Sequence, residues 1–60
     1  MEITKEDFNS FEIVRKSGKT NMFDVYSVSR LSGLSRAKIS FIMKHYFILS
    51  KKYEGEIKNG

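Results

Sequence analysis

The sequence predicts a single all-α domain of three helices over residues 1–60, and three observations lead to this prediction. Apolar residues recur at steps of three and four along most of the chain, which is the period of a helix with one buried face. A residue that favours a helix N-cap stands before each such stretch, and a glycine follows the first two. The chain has no proline to interrupt these stretches.

The first helix is predicted at about residues 5–17. Thr4 is a good N-cap, the acidic residues after it suit the positive end of the helix dipole, and Gly18 supplies a stop. The apolar stripe expected to face the core consists of Phe8, Phe11 and Val14.

The second helix is predicted at about residues 24–32, after a polar connector over residues 18–23. Asp24 is its expected N-cap, and Gly33 is expected to end it. Its buried face is expected to consist of Val25, Val28 and Leu31.

The third and longest helix is predicted at about residues 35–51, with Ser35 as its N-cap. Its apolar residues keep the helical period, and they are Ile39, Ile42, Met43, Tyr46, Leu49 and Tyr53. Because residues 46–49 are β-branched or aromatic enough to favour a strand, a short strand or wing is an open alternative there. From about residue 55 we expect a frayed C-terminal tail.

Only Gly33 and Leu34 separate the second helix from the N-cap of the third. So short a link forces the two helices to cross at a large angle, which few residue types allow. Gly33 supplies the left-handed backbone conformation, and Ser29 is small enough for the third helix to pack against it. The six residues that satisfy the demands of this corner are Val28, Ser29, Gly33, Leu34, Ile39 and Ile42.

The segment over residues 28–42, which reads VSRLSGLSRAKISFI, resembles the helix-turn-helix of the phage repressor and Cro (Xre-like) family. The resemblance covers about residues 24–44, a third of the chain. Domains of that family usually have two further helices after the motif, whereas 16 residues follow position 44 here. Residues 20–25, TNMFDV, also resemble part of a small phage-encoded domain family of unknown function.

The resemblance implies that the third helix enters the major groove of DNA with its N-terminal turn leading. Arg36 would then donate two hydrogen bonds to a guanine edge. The side chains implied to face the groove are Ser35, Arg36, Ala37, Ser40, Phe41 and Lys44. Contacts to phosphates, which fix the register without reading the sequence, are implied for Arg30, Lys38, Lys44 and Tyr26. In a protein that binds no DNA, the same side chains would be ordinary surface residues.

The charge of the chain is concentrated in its middle. The formal net charge is +4 and the sequence pI is about 9.6. Between residues 15 and 52 there are nine lysines and arginines and a single acidic residue, Asp24. The resulting positive field favours a polyanion, either a nucleic acid or an acidic protein surface, although a merely solvated face has the same composition.

Several classes of function are not expected from this sequence. There is no pairing of nucleophile and base, no glycine-rich phosphate loop and no carboxylate cluster, so we expect no enzyme activity and no cofactor. A lone histidine, His45, and the absence of cysteine leave no metal site. No run approaches the ~20 apolar residues of a membrane span, and the N-terminus lacks the layout of a signal peptide. A cytoplasmic protein without membrane contacts is therefore expected.

Two functional hypotheses remain. The first is a small DNA-binding regulator or accessory factor of a phage or mobile element, acting as a homodimer through Phe47, Ile48 and the edge formed by Leu49 and Tyr53. The second is an interaction module on the same scaffold that binds a host or phage protein through Phe41, Phe47 and the basic face. An aromatic residue such as Phe41 is uncommon on a helix face that meets DNA. Three roles are open to it, namely contact with thymine methyl groups, anchoring of a protein partner, and packing on Phe47 or the tail.

Overall fold

The protein is all-helical in the computed structural model, which describes the backbone of residues 2–57 and the side chains of residues 2–53. Four helices follow one another, namely α1 (Lys5–Ser17), α2 (Val25–Ser32), α3 (Arg36–Lys44) and α4 (Tyr46–Ile57). The described part contains no strand. The all-α prediction is therefore confirmed over this range, whereas the prediction of three helices is wrong. None of the described helices is both long and apolar enough to cross a membrane.

The fourth helix arises because the predicted third helix breaks at His45. The N–H group of His45 donates to the carbonyl of Phe41 at 3.0 Å and closes α3. The carbonyl of His45 then accepts the N–H group of Leu49 at 3.0 Å, which is the first hydrogen bond of α4. Its backbone angles, φ −113° and ψ 23°, redirect the chain between the two helices. The wing considered for residues 46–49 is thus wrong, since these residues begin α4.

The C-terminal end of the chain is described only in part. The backbone continues as α4 through Ile57, which includes the first residues of the tail expected to fray from about residue 55. Residues 58–60 of that tail lie outside the described residues.

Local hydrogen bonds fix the start of each of the first three helices. The hydroxyl of Thr4 accepts the N–H group of Asp7 at 3.0 Å, and the Asp7 carboxylate accepts the N–H group of Thr4 at 3.2 Å. Asp24 and Ser35 accept the N–H groups of the residues three positions later, each at 3.2 Å. All three predicted N-caps are confirmed, and each satisfies a backbone donor that the helix itself leaves unpaired.

One hydrophobic core lies where the four helices meet. Its buried members are Ile3, Phe8, Phe11, Val14, Val28, Leu34, Ile39, Ile42, Leu49 and Tyr53. The expected burial of Leu31 is wrong, because 54% of its surface is exposed. The side of α2 that faces the core contains Val28, and the half-buried Ser29 and Ser32 lie next to it on one side. Leu31 lies on the other side of Val28 and faces outward.

Two tyrosine hydroxyls attach α4 to the N-terminal part of the chain. Tyr53 donates to the carbonyl of Ile3 at 2.6 Å, in a buried hydrogen bond. Tyr46 donates at 2.7 Å to the carboxylate of Glu12, a buried residue of α1. Arg15 donates two further hydrogen bonds to the same carboxylate, at 2.9 and 2.7 Å. Glu12 is therefore a buried charge that is paired and hydrogen-bonded, as burial of a charge requires.

Candidate nucleic-acid interface

The corner between α2 and α3 is closed by short-range hydrogen bonds. Gly33 adopts a left-handed conformation with φ +80°, and its N–H group donates to the carbonyl of Ser29 at 2.9 Å. The hydroxyl of Ser29 donates to the carbonyl of Leu34, and the hydroxyl of Ser32 accepts the N–H group of Leu34 at 3.2 Å. Because the side chain of Leu34 is buried, the corner is anchored in the core as well.

The core side of this corner is tightly held. Val28 of α2 and Ile39 and Ile42 of α3 are fully buried. All six residues singled out for the corner from the sequence therefore lie either in the core or within the hydrogen-bonded turn. The relative placement of α2 and α3 is fixed both by packing and by backbone hydrogen bonds.

The outer side of α3 is mostly exposed. The expected groove-facing residues that are exposed are Ser35, Arg36, Ala37, Ser40 and Lys44. Phe41 differs from them, because it is half-buried and packs against the core. Its ring also contacts the ring of His45, with 4.4 Å between the centroids. Phe41 therefore buries much of its apolar surface within the molecule, and less of it is available for binding.

Arg36 and Tyr26 meet across the corner. The central guanidinium carbon of Arg36 lies 5.7 Å from the centroid of the Tyr26 ring, which is within the range of a cation–π contact. Arg36 is the first residue of α3, and Tyr26 belongs to the first turn of α2. Tyr26 is 63% exposed. Two residues that the sequence placed at the DNA contact for separate reasons thus form one pair.

Lys38 is bound within the chain. Its ammonium group lies 3.0 Å from Oδ2 of Asp7 in α1, in a salt bridge between the two helices. This hydrogen bond, chiefly, holds the pKa of Asp7 below its ordinary value, with help from the hydrogen bonds of the Thr4 cap. The sequence implied a phosphate contact for Lys38, whereas its observed partner is the carboxylate of Asp7. The separation of 31 residues between the two explains why the pairing is not visible in the sequence.

A shallow depression lies beside α2 and brings two cations to one place. Its lining consists of Lys19, Thr20, Ser27, Arg30 and Leu31. Arg30 was expected to contact a phosphate, whereas Lys19 and Thr20 were missed. The run of positive charges contains Lys19, but only the fold shows that it lies with Arg30. The hydroxyl of Ser27 donates to Asp24 at 2.9 Å and so is already engaged.

Several exposed cations of α2, α3 and the connector before α2 are not neutralised within the chain. In the described part, no carboxylate lies within ion-pair distance of Lys19, Arg30, Arg36 or Lys44. Asp24, the acidic residue closest in sequence to Lys19, Arg30 and Arg36, is occupied by the N-cap of α2, and its hydrogen bonds with Ser27 lower its pKa. The surface formed by Lys19, Tyr26, Arg30, Ser35, Arg36 and Lys44, called the basic surface below, therefore carries excess positive charge.

A second exposed feature is the outward side of α4. Phe47 is 71% exposed and Ile48 is 65% exposed, and the ammonium group of Lys51 lies 4.9 Å from the centroid of the Phe47 ring. Leu49 and Tyr53, which were expected at a dimer contact, are instead buried in the core of their own chain. An intermolecular contact on α4 would thus involve Phe47 and Ile48 without that edge.

Comparisons with protein-family models, with curated proteins and with solved structures find no match. Among the described residues, no three histidine, aspartate or glutamate side chains are grouped so that they could hold a metal ion. The function has to be inferred from the chemistry of the basic surface and of α4.

Proposed function

We propose that this chain is a small DNA-binding protein in which α2 and α3 form a helix-turn-helix and the start of α3 enters the major groove. The observation that carries the proposal is the basic surface. Its cations are exposed, and none of them has a carboxylate partner among the described residues. Such a surface suits a polyanion, because cations that neutralise phosphates release the counterions condensed on the nucleic acid.

The proposed roles follow from position. Arg36 reads a guanine edge, since its planar guanidinium matches the two acceptors of that base. The N-terminus of α3, capped by Ser35, lies against a phosphate, which the helix dipole attracts. Arg30 and Lys19 contact the phosphate backbone beside α2, and Lys44 contacts it at the far end of α3. Lys38 is assigned a structural role because Asp7 occupies its ammonium group.

The wider role proposed is that of a transcriptional regulator or accessory factor of a phage or mobile element, acting in the cytoplasm. One copy offers few phosphate contacts, so specific control calls for a homodimer on two half-sites about one helical turn apart. The exposed Phe47 and Ile48 supply the apolar surface that such a dimer would bury. No catalytic step is part of this proposal.

The proposal is tested by measuring the salt dependence of binding to a fluorescent duplex of mixed sequence. Wild type is compared with Arg30→Ala/Lys44→Ala, and the matched control is Lys51→Ala/Lys52→Ala, which removes the same charge from α4. Each lost phosphate contact reduces the magnitude of the negative slope of log K against log salt by about 0.9, so this magnitude should be about 1.8 smaller in the first variant. Absence of binding at low salt, or an equal loss in the control, would contradict the proposal.

A second candidate function is a protein-interaction module, and the observation that favours it is the exposed apolar side of α4. Of the two expected anchors, Phe47 is the exposed one, whereas Phe41 packs partly against the core and against His45. Sedimentation of wild type and of Phe47→Ser/Ile48→Ser distinguishes a dimer contact on this face from a contact with another protein. A dimer that the variant abolishes supports the regulator, whereas a wild-type monomer that binds no duplex favours the interaction module.

A further inference from the structure

The contact between Arg36 and Tyr26 leaves one part of the guanidinium group available. A guanidinium that stacks on an aromatic face uses its flat side, while its N–H donors point outward in its own plane. The guanidinium carbon lies over the Tyr26 ring, 5.7 Å from its centroid, which is near the outer limit of about 6 Å for a cation–π contact. Both side chains are also exposed, so the outward donors remain open to a ligand.

Both partners of this contact are attached to fixed backbone. Tyr26 lies in the first turn of α2, where Asp24 accepts hydrogen bonds from the N–H group and the hydroxyl of Ser27. Arg36 follows the Ser35 cap of α3. The turn between the helices is held by the hydrogen bonds around Gly33 described above. The backbone positions of Tyr26 and Arg36 are therefore fixed relative to each other, and the fold brings the ring and the guanidinium group within reach of one contact.

We propose that Tyr26 is a positioning residue that determines sequence specificity, because its ring holds the guanidinium plane of Arg36 in the orientation that reads a guanine. This inference rests on the proposed DNA-binding function and goes one step further. An unsupported arginine at this position samples many rotamers and reaches phosphates as readily as bases. The ring removes that freedom, so Tyr26 contributes selectivity at one base pair without itself touching the base.

This role differs from the phosphate contact that the sequence implied for Tyr26. A phosphate contact depends on the phenolic hydroxyl, whereas the positioning role depends on the ring. Tyr26→Phe keeps the ring and removes the hydroxyl, and Tyr26→Leu removes both. Because Tyr26 is largely exposed, neither change removes a core side chain. Phe23→Leu is the matched control, since it deletes another exposed aromatic ring three residues earlier, and the cation–π contact of Arg36 in the described part is with Tyr26.

The first measurement needs no DNA. In the free protein, the ring of Tyr26 should shift the NMR signals of the Arg36 side chain away from their ordinary positions, because the guanidinium group lies over the ring. Tyr26→Leu should return these signals to those positions, and Tyr26→Phe should leave them shifted. Unshifted signals in the wild type would mean that the ring does not hold Arg36 in solution, and this would overturn the inference whatever the protein binds.

The second measurement is selection from a pool of duplexes with randomised sequence. Wild type, Tyr26→Phe and Phe23→Leu should enrich guanine at one position of the selected site. In Tyr26→Leu, the preference for guanine at that position should fall about tenfold. The salt slope of its DNA binding should stay unchanged, because no charge is removed. Full retention of the preference in Tyr26→Leu, or its loss in Tyr26→Phe, would overturn the positioning role. A wild type that binds no duplex would instead overturn the proposed function itself.

Discussion

Replacing Gly33 by alanine tests how the corner between α2 and α3 is built. A Cβ atom added at Gly33 would meet nothing within 4 Å, so no steric clash contributes. The cost then comes from the left-handed backbone, φ +80°, which an alanine adopts at a penalty of about 1–2 kcal/mol. Alanine also restricts the unfolded chain, which offsets about 0.4–1 kcal/mol of that penalty. The expected net loss in the free energy of unfolding is about 1 kcal/mol.

Thermal unfolding followed by circular dichroism measures this loss. In a domain of this size, about 1 kcal/mol corresponds to a decrease in Tm of about 4–8 °C. Gly18→Ala is a matched control, because Gly18 also has a positive φ, +67°, and open space around it, yet lies outside the corner. Gly33→Asn should lose less, since asparagine tolerates the left-handed region better. A loss above about 3 kcal/mol for Gly33→Ala, or no loss at all, would refute this reasoning.

Three further changes test other contacts. Tyr46→Phe removes a hydrogen bond to the buried carboxylate of Glu12 and should lower the free energy of unfolding in urea by about 1.5–3 kcal/mol, whereas an unchanged midpoint would contradict the network. Lys38→Ala should cost below about 1 kcal/mol and leave the salt slope of DNA binding unchanged. Lys38 lowers the pKa of Asp7 from its ordinary value of 3.8, so their bond stabilises the fold fully above that pH and is lost as the pH falls through the lowered pKa. In Lys38→Ala, the free energy of unfolding should therefore fall less steeply with decreasing pH over this range. Lys19→Ala should reduce the magnitude of the salt slope of DNA binding by about 0.9, and an unchanged slope would mean that Lys19 does not contact a phosphate.

The parts of the fold that depend on neighbouring residues could be predicted from the sequence. The N-caps Thr4, Asp24 and Ser35 each bond to a residue three positions later. The hydrogen bond that ends α2 joins Gly33 to a residue four positions earlier. The break at His45 could not be predicted, because no glycine or proline marks it. The apolar period also continues across the break, since residues on both sides face the same core.

The parts of the site that depend on distant residues could not be predicted in the same way. The exposure of Arg36 follows from its place at the start of a helix whose apolar side is buried. The engagement of Lys38 by Asp7 joins two helices, and the meeting of Lys19 with Arg30 depends on how the connector folds back along α2. These pairs arise from tertiary packing, which a pattern along the chain does not encode.

The placement of the three tyrosines makes the protein a source of its own optical signals. The chain has no tryptophan, so its intrinsic fluorescence comes from Tyr26, Tyr46 and Tyr53 alone. Tyr46 and Tyr53 hold α4 against the rest of the molecule, and Tyr26 lies on the outer surface beside Arg36. Emission from the first two reports whether α4 is docked, while emission from Tyr26 reports what happens at the surface. Comparison of single Tyr→Phe variants with wild type therefore separates the folding signal from the binding signal without any added label.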